Sequence, residues 1–287
     1  MTFNEWRLRT RRLGNSDHTL IMGVVNVTPD SFSDGGDFAD ATEAIAHGRR
    51  LAAQGADIVD IGGESTRPGS DEVSVDEEID RAMPVVKALS DDGIIVSIDT
   101  SKAVVAEQAL EGGAEIVNDV SALRDPDMAG LVASTGAGVV LMHMRGTPST
   151  MQLDPRYDDV VIEVRDELLA TARTAESLGV AGDQICLDPG IGFGKTVAHN
   201  LTLLRMLSRI TEAGYPTLLG TSRKSFLGSI AGIPDAKDRD VATAATTALA
   251  VASGVFCVRV HDVPRNLQSA RIADAIVRAS ISDEDLR

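Results

Sequence analysis

Ile94-Ile-Val-Ser-Ile-Asp-Thr-Ser-Lys-Ala-Val-Val-Ala-Glu-Gln-Ala-Leu-Glu-Gly-Gly-Ala-Glu-Ile-Val-Asn-Asp119 carries one full period of the pattern that decides the fold. An apolar, β-branched run ends on Asp99. An Ala-rich stretch of helical spacing follows over 102–111 and stops at Gly112. A second apolar run then ends on Asn118 and Asp119. Continuous apolar runs suit strands buried on both faces of a parallel sheet, and Gly after a helix is a common C-terminal cap. Outward from here the unit repeats. Runs at 20–27, 58–61, 94–98, 115–120, 138–142, 184–187, 217–219 and 255–260 read as strands. Stretches at 41–54, 76–89, 102–111, 159–178, 200–211, 240–252 and 264–279, with a shorter one after Pro126, read as helices. Eight βα units in roughly 260 residues predict one α/β domain over 1–287, a (β/α)8 TIM barrel with a short cap around 3–13. A doubly wound sheet would usually use fewer strands and a single crevice.

Polar residues follow nearly every run: Asn26 and Asp30, Glu64 and Arg67, Asp99, Asn118 and Asp119, His143 and Arg145, Asp188, Arg223 and Lys224, then Arg259, His261 and Asp262. In a barrel these converge on the C-terminal rim, where catalytic groups sit. Asp99, Asn118, Asp188 and Lys224 come from four strands and together can read a flat heterocycle with an amidine-like edge. A carboxylate accepts two parallel N–H bonds from such an edge, Asn both donates and accepts, and Lys donates to a ring carbonyl. Arg67, Arg259 and His261 supply positive charge for a phosphate group. Any one of these alone could instead cap a helix or pair with a neighbouring charge.

Composition narrows the field. Apolar residues are 43% of 287 and aromatics 3%, so the core is built from Val, Ile, Leu and Ala. The net charge of −16, with no long basic run, speaks against a nucleic-acid surface. No apolar run is long enough for a membrane span, and the expected compartment is the cytoplasm. Lysine is scarce and aspartate abundant, which fits a saline cytoplasm or a codon bias. Cys186 and Cys257 sit in apolar runs and read as buried small hydrophobes. The glycine-rich stretch Asp188-Pro-Gly-Ile-Gly-Phe-Gly-Lys-Thr196 looks like a phosphate loop, but Pro189 stands where Gly is needed. Its glycines are expected to let the backbone approach a flat ligand. His143 and His261 are too isolated to indicate zinc.

The loop wording goes further. Asn26-Val-Thr-Pro-Asp-Ser-Phe-Ser-Asp-Gly-Gly36 and Asp60-Ile-Gly-Gly-Glu-Ser-Thr-Arg-Pro-Gly69 closely resemble the first two signatures of the dihydropteroate synthase family. Ser97-Ile-Asp-Thr100, Asn118-Asp119, Leu141-Met-His-Met144, Asp188 to Gly194, Ser222-Arg-Lys-Ser225 and Arg259-Val-His-Asp262 are similar to the rest of its pattern, in the same order. The resemblance implies condensation of 6-hydroxymethyl-7,8-dihydropterin diphosphate with 4-aminobenzoate, assisted by Mg²⁺, in a homodimer. It implies that Asp99, Asn118, Asp188 and Lys224 hold the pterin, lined by Met142 and Phe193. Asn26 (through Mg²⁺), Arg67, Arg259 and His261 serve the diphosphate. Phe32, Thr66, Pro68 and Ser225 border the aminobenzoate. The implied mechanism is SN1-like, needing anion stabilisation and carboxylates beside a cationic ring rather than a strong base.

Two rivals share the barrel. A corrinoid-linked methyltransferase domain would not need the aminobenzoate residues Phe32, Pro68 and Ser225. A silent pterin-binding paralogue would not need Asn26, Arg67, Lys224 and Arg259.

Overall fold

The structure, a computed structural model, describes residues 5–15, 18–27, 37–65 and 73–279, apart from the side chains of 37–40. The chain enters through a small antiparallel hairpin, β1 (Glu5–Arg7) and β2 (Arg12–Gly14), in register with Trp6 opposite Leu13. Strands and helices then alternate: β3 (Leu20–Asn26), α1 (Asp37–Ala53), β4 (Ile58–Gly62), α2 (Val75–Asp91), β5 (Val96–Asp99), α3 (Ala103–Glu111), β6 (Ile116–Asp119), α4 (Met128–Thr135), β7 (Gly138–Met142) and α5 (Val160–Ser177). The second half runs β8 (Ile185–Asp188), α6 (Val197–Arg205), α7 (Ser208–Thr211), β9 (Leu218–Leu219), α8 (Ser225–Ala231), α9 (Asp240–Ala252), β10 (Cys257–Val260) and α10 (Val263–Arg278). Among the described residues, eight parallel strands lie in the order β8-β7-β6-β5-β4-β3-β10-β9. A single parallel bridge, Leu187 with Thr217, joins the two ends and closes the barrel.

The alternation of side chains along each strand divides the core in two. One set, including Val59, Ile61, Val117, Leu141 and Val258, faces outward and buries against the helices. The other, including Met22, Ile58, Ile116, Val140, Cys186, Leu218 and Cys257, fills the lower half of the barrel interior. Trp6 and Leu8 of the hairpin complete that inner cluster, and Trp6 Nε1 donates to the Gln184 carbonyl at 2.7 Å. The cap expected from sequence is thus a plug under the barrel. Both cysteines are buried in the inner layer, as their apolar runs imply.

With the lower interior largely apolar, the next inward positions up five of the strands are polar. They are Asp60 on β4, Asp99 on β5, Asn118 on β6, Asp188 on β8 and Arg259 on β10. Strand period and barrel closure therefore bring residues almost two hundred positions apart to one mouth.

Candidate active site

Arg259 is the hub of the mouth. Its Nε donates to Asp60 Oδ2 at 2.6 Å and its Nη2 donates to Asp99 Oδ2 at 2.6 Å. Asn118 Nδ2 donates to the same Asp60 oxygen at 3.1 Å. Burial works against the Arg259 charge, but Asp60 and Asp99 more than offset it and raise its pKa. Asp99 behaves differently. Burial pushes its carboxyl up to about 7 despite Arg259, with Asp60, Glu78 and Asp119 adding to the rise. Its Oδ1 is buried and has no hydrogen-bond partner among the described residues. An acceptor is thus available for a ligand N–H.

Asp188 and Lys224 form the opposite wall. Asp188 Oδ1 accepts the Gly190 N–H at 2.7 Å. Burial raises the Asp188 carboxyl, and nearby Lys224 opposes this. Burial pushes the Lys224 ammonium down to about 8, opposed by Asp188. Lys224 Nζ donates to the Ile191 carbonyl and stands 4.5 Å over the Phe193 ring. A Cβ on Gly220 would come within 4.0 Å of both Asp188 Oδ2 and Lys224 Nζ, and 3.9 Å from Arg259. The missing side chain there leaves the floor open between three charged groups. Met142, 3% exposed at the end of β7, supplies an apolar wall.

Asn26 ends β3, and a Cβ on Gly62 would stand 3.9 Å from its Oδ1 and 3.8 Å from Asp99 Oδ2. His261 lies just beyond β10, where its Nδ1 and the Ser222 hydroxyl are 2.9 Å apart. Ser225 is exposed in the first turn of α8, beside Lys224. The fold thus gathers Asn26, Asp99, Asn118, Met142, Asp188, Phe193, Lys224 and Arg259 at the mouth, with His261 and Ser225 on its rim. Phe32, Thr66, Arg67 and Pro68 fall outside the described residues. The base of their second loop is described. Lys102 Nζ donates to Glu64 Oε2, Glu78 Oε2 and the Val73 carbonyl, each at 2.7 Å, and so ties down both flanks of 66–72.

Lys224 is aimed by a strained neighbour. Arg223 has φ +59, a left-handed conformation that a residue with a Cβ adopts only when held. The hold is a two-point bond to Asp240 at 2.7 and 2.8 Å, with Arg239 donating to the Arg223 carbonyl at 2.9 Å.

The structure corrects one expectation and adds to another. Gly190, Gly192 and Gly194 all have positive φ, but what they approach is protein rather than open pocket. A Cβ on Gly190 would lie 2.0 Å from the His143 carbonyl oxygen, and one on Gly194 would lie 2.8 Å from that of Arg145. Gly190 and Gly194 dock the loops after β7 and β8 onto each other, while a Cβ on Gly192 would meet the Lys224 stem at 3.0 Å. The addition is Asp60, the fully buried partner of Arg259 and Asn118. Its signal in sequence is a lone carboxylate inside Ile58-Val-Asp-Ile61, at an inward position of the alternation. Asp119, counted among the rim residues, turns away. It accepts from Ser121 N and Leu123 N at 2.8 and 2.7 Å and shapes its own loop.

A closed barrel with buried carboxylates, an amide and two cations at its C-terminal mouth defines an enzyme of the heterocycle-binding barrel class. Residues 22–261 match the family described as pterin binding enzyme. The dihydropteroate synthase of Synechocystis sp. is 47% identical over 262 residues, covering 91% of each chain. The Xanthomonas albilineans dihydropteroate synthase with 4-aminobenzoic acid superposes with a TM-score of 0.89 at 42% identity, covering 96% of this chain and 99% of that one. The Yersinia pestis enzyme in a sulfonamide drug complex gives 0.90 at 40% identity, covering 96% and 100%. The chain belongs to the dihydropteroate synthases of the pterin-binding enzyme family, which are transferases.

Proposed function

We propose that the chain condenses 6-hydroxymethyl-7,8-dihydropterin diphosphate with 4-aminobenzoate, giving 7,8-dihydropteroate and diphosphate for folate biosynthesis. The observation that carries this is a pair of buried carboxylates at one barrel mouth: Asp99, bonded to Arg259, and Asp188, which meets Lys224 and Arg259 around Gly220. Such a set fits a flat, nitrogen-rich ring and stabilises it when it turns cationic. The C–O bond to diphosphate breaks first, and its electron pair leaves with the diphosphate. The dihydropterin spreads the resulting positive charge over its ring nitrogens beside Asp99 and Asp188. The aniline nitrogen then attacks the exocyclic carbon and releases a proton to solvent. The chemistry needs electrostatic preorganisation and exclusion of competing water rather than a strong base.

Arg259, His261 and Arg67 receive the departing anion. Asp60 and Asp99 engage two of the five Arg259 N–H donors, leaving others for an incoming phosphate oxygen. Mg²⁺ belongs to the same reading. Asn26 offers one neutral, hard oxygen at the mouth, and Mg²⁺ is commonly held by one or two protein oxygens, substrate phosphates and water. When bound there it would neutralise charge on the diphosphate. Phe32 and Pro68 clamp the aminobenzoate ring, with Thr66 and Ser225 at its border.

The reading also has the enzyme in the cytoplasm as a homodimer. Val241 and Leu249 on α9, with Ile272 and Ile276 on α10, are each more than 60% exposed. These helices pack side by side and give a second copy an apolar face to cover. Among the described residues no helix is long and apolar enough to cross a membrane.

The test is diphosphate release with and without 4-aminobenzoate, with a sulfonamide as competitor. Release should depend on Mg²⁺, and inhibition should be competitive with 4-aminobenzoate and uncompetitive or mixed with the pterin diphosphate. Inhibition indifferent to 4-aminobenzoate would remove the proposed second subsite.

A further inference from the structure

Lys195 takes no part in the chemistry above, yet it is 3% exposed beside the pterin pocket. It ends the loop between β8 and α6. Positive φ at Gly190, Gly192 and Gly194 folds that loop back on itself, so that backbone carbonyls turn inward. Lys195 Nζ donates to the carbonyls of Gly190 and Phe193, each at 2.9 Å. It also crosses to the loop after β7, meeting His143 Nδ1 at 3.0 Å and the His143 carbonyl at 3.3 Å. His143 Nε2 is 2.9 Å from Glu167 Oε2 on α5. An ammonium only donates, so Nδ1 accepts from Lys195 and Nε2–H donates to Glu167. This is the neutral imidazole, in keeping with a His143 pKa that burial pushes down to about 4.

A further carbonyl of the loop, that of Ile191, accepts from Lys224, while those of Gly192 and Gly194 accept from Gln152 Nε2 and the Tyr157 hydroxyl. Two ammonium groups therefore share one short loop. Lys195 grips it from behind at Gly190 and Phe193, while Lys224 touches it from the pocket side at Ile191 and over the Phe193 ring. Asn200 secures the middle by accepting the Gly192 N–H at 2.8 Å.

We propose that Lys195 is a positioning residue for the pterin subsite: by tying the loop after β7 to the loop after β8 it fixes Phe193 and Ile191, and through them the Lys224 ammonium. The proposal rests on the condensation reading for its kinetic assay. Lys195 reaches no ligand itself. Its effect should therefore fall on pterin recognition and spare 4-aminobenzoate, whose border residues lie on other loops.

The experiment compares the unaltered protein with Lys195→Met, which keeps an apolar stem but removes every donor. Initial rates are measured against both substrates, and binding of 6-hydroxymethylpterin is measured by calorimetry. Loss of charge-assisted bonds should raise the KM for the pterin diphosphate about tenfold or more and weaken 6-hydroxymethylpterin binding similarly. The KM for 4-aminobenzoate should change less than about twofold, the scatter usual for a site without shared partners. Equal shifts in both KM values, or a lowered unfolding midpoint with both unchanged, overturn the proposal. Should Lys195→Met not fold, Glu167→Gln decides. Its side chain is 46% exposed, and it should raise only the pterin KM, by about threefold. An unchanged pterin KM in that variant overturns the proposal. If the unaltered protein makes no dihydropteroate, the reaction reading fails instead. Calorimetry then judges Lys195 alone, and unchanged 6-hydroxymethylpterin affinity overturns it.

Discussion

Asp60 shows how one buried carboxylate organises a site through the neighbours it holds. It is fully buried and holds Arg259 and Asn118 on the same oxygen. Asp60→Ala leaves the guanidinium with Asp99 alone, and breaking a buried pair costs about 3–5 kcal/mol. Urea unfolding should register that loss, and calorimetry should show pterin binding reduced in whatever protein remains folded. Asp188→Ala should act on binding more than on folding. A lost charge-assisted bond, worth roughly 1.5–3 kcal/mol, weakens pterin affinity tenfold or more. Unchanged affinity in a folded variant would remove Asp188 from the subsite. Protonation gives a third handle. The free Asp99 carboxyl titrates near 7, and a ring N–H prefers its ionised form. Binding should therefore lower its pKa and release a proton. Affinity should climb as pH rises toward about 7 and fall again as burial-weakened Lys195 and Lys224 lose protons near about 7 and 8. Calorimetry in buffers of different ionisation heat checks this, and Asp99→Asn should erase the acidic limb.

At the scale of elements, loop conformation carries the function, and glycine substitutions separate strain from collision. Gly136 caps α4 at φ +73 with nothing within 4 Å of an added Cβ, so Gly136→Ala should cost only the left-handed penalty, about 1–2 kcal/mol. Gly190 has a similar φ of +62, but its Cβ would strike the His143 carbonyl. Gly190→Ala should cost clearly more in urea unfolding and should abolish pterin binding. Equal losses at the two sites would mean that the loops after β7 and β8 do not depend on each other. The same scale shows what sequence could reveal. Residues 138–142 and 240–252 match β7 and α9 end for end, because turn-forming residues and helix-stop signals bound them. The stretch 200–211 divides into α6 and α7 around Met206 and Leu207, a break that no Gly or Pro marks. α8, seven residues long, gives too few turns for a periodic signal.

The whole molecule is legible where burial repeats and obscure where it does not. Strand runs and their terminal polar residues foretell the barrel and most of its mouth. Asp60 and Lys195 stay unassigned because their partners come from strands and loops remote in sequence, which spacing alone does not pair. The hairpin is hidden because Arg7, Arg9, Arg11 and Arg12 mask the inward pair Trp6 and Leu8. That plug sits at the end opposite the chemistry. Trp6→Ala should therefore cost about 3–5 kcal/mol of stability while leaving turnover intact well below the unfolding midpoint. Altered KM values at low temperature would show that the two ends of the barrel communicate.

The closing bridge between Leu187 and Thr217 has a dynamic consequence. Every other neighbouring pair in the barrel is zipped by at least two register partners, whereas this one has a single bridge, in which the Leu187 N–H donates to the Pro216 carbonyl at 2.8 Å. It is the seam at which the cylinder should breathe. Asp188 stands on one lip and Lys224 just past the other, so a bound pterin laces them together. In hydrogen–deuterium exchange the Leu187 amide should trade protons sooner than those of β4 and β5 in the free protein, and pterin should slow it more than any amide on the far side of the ring.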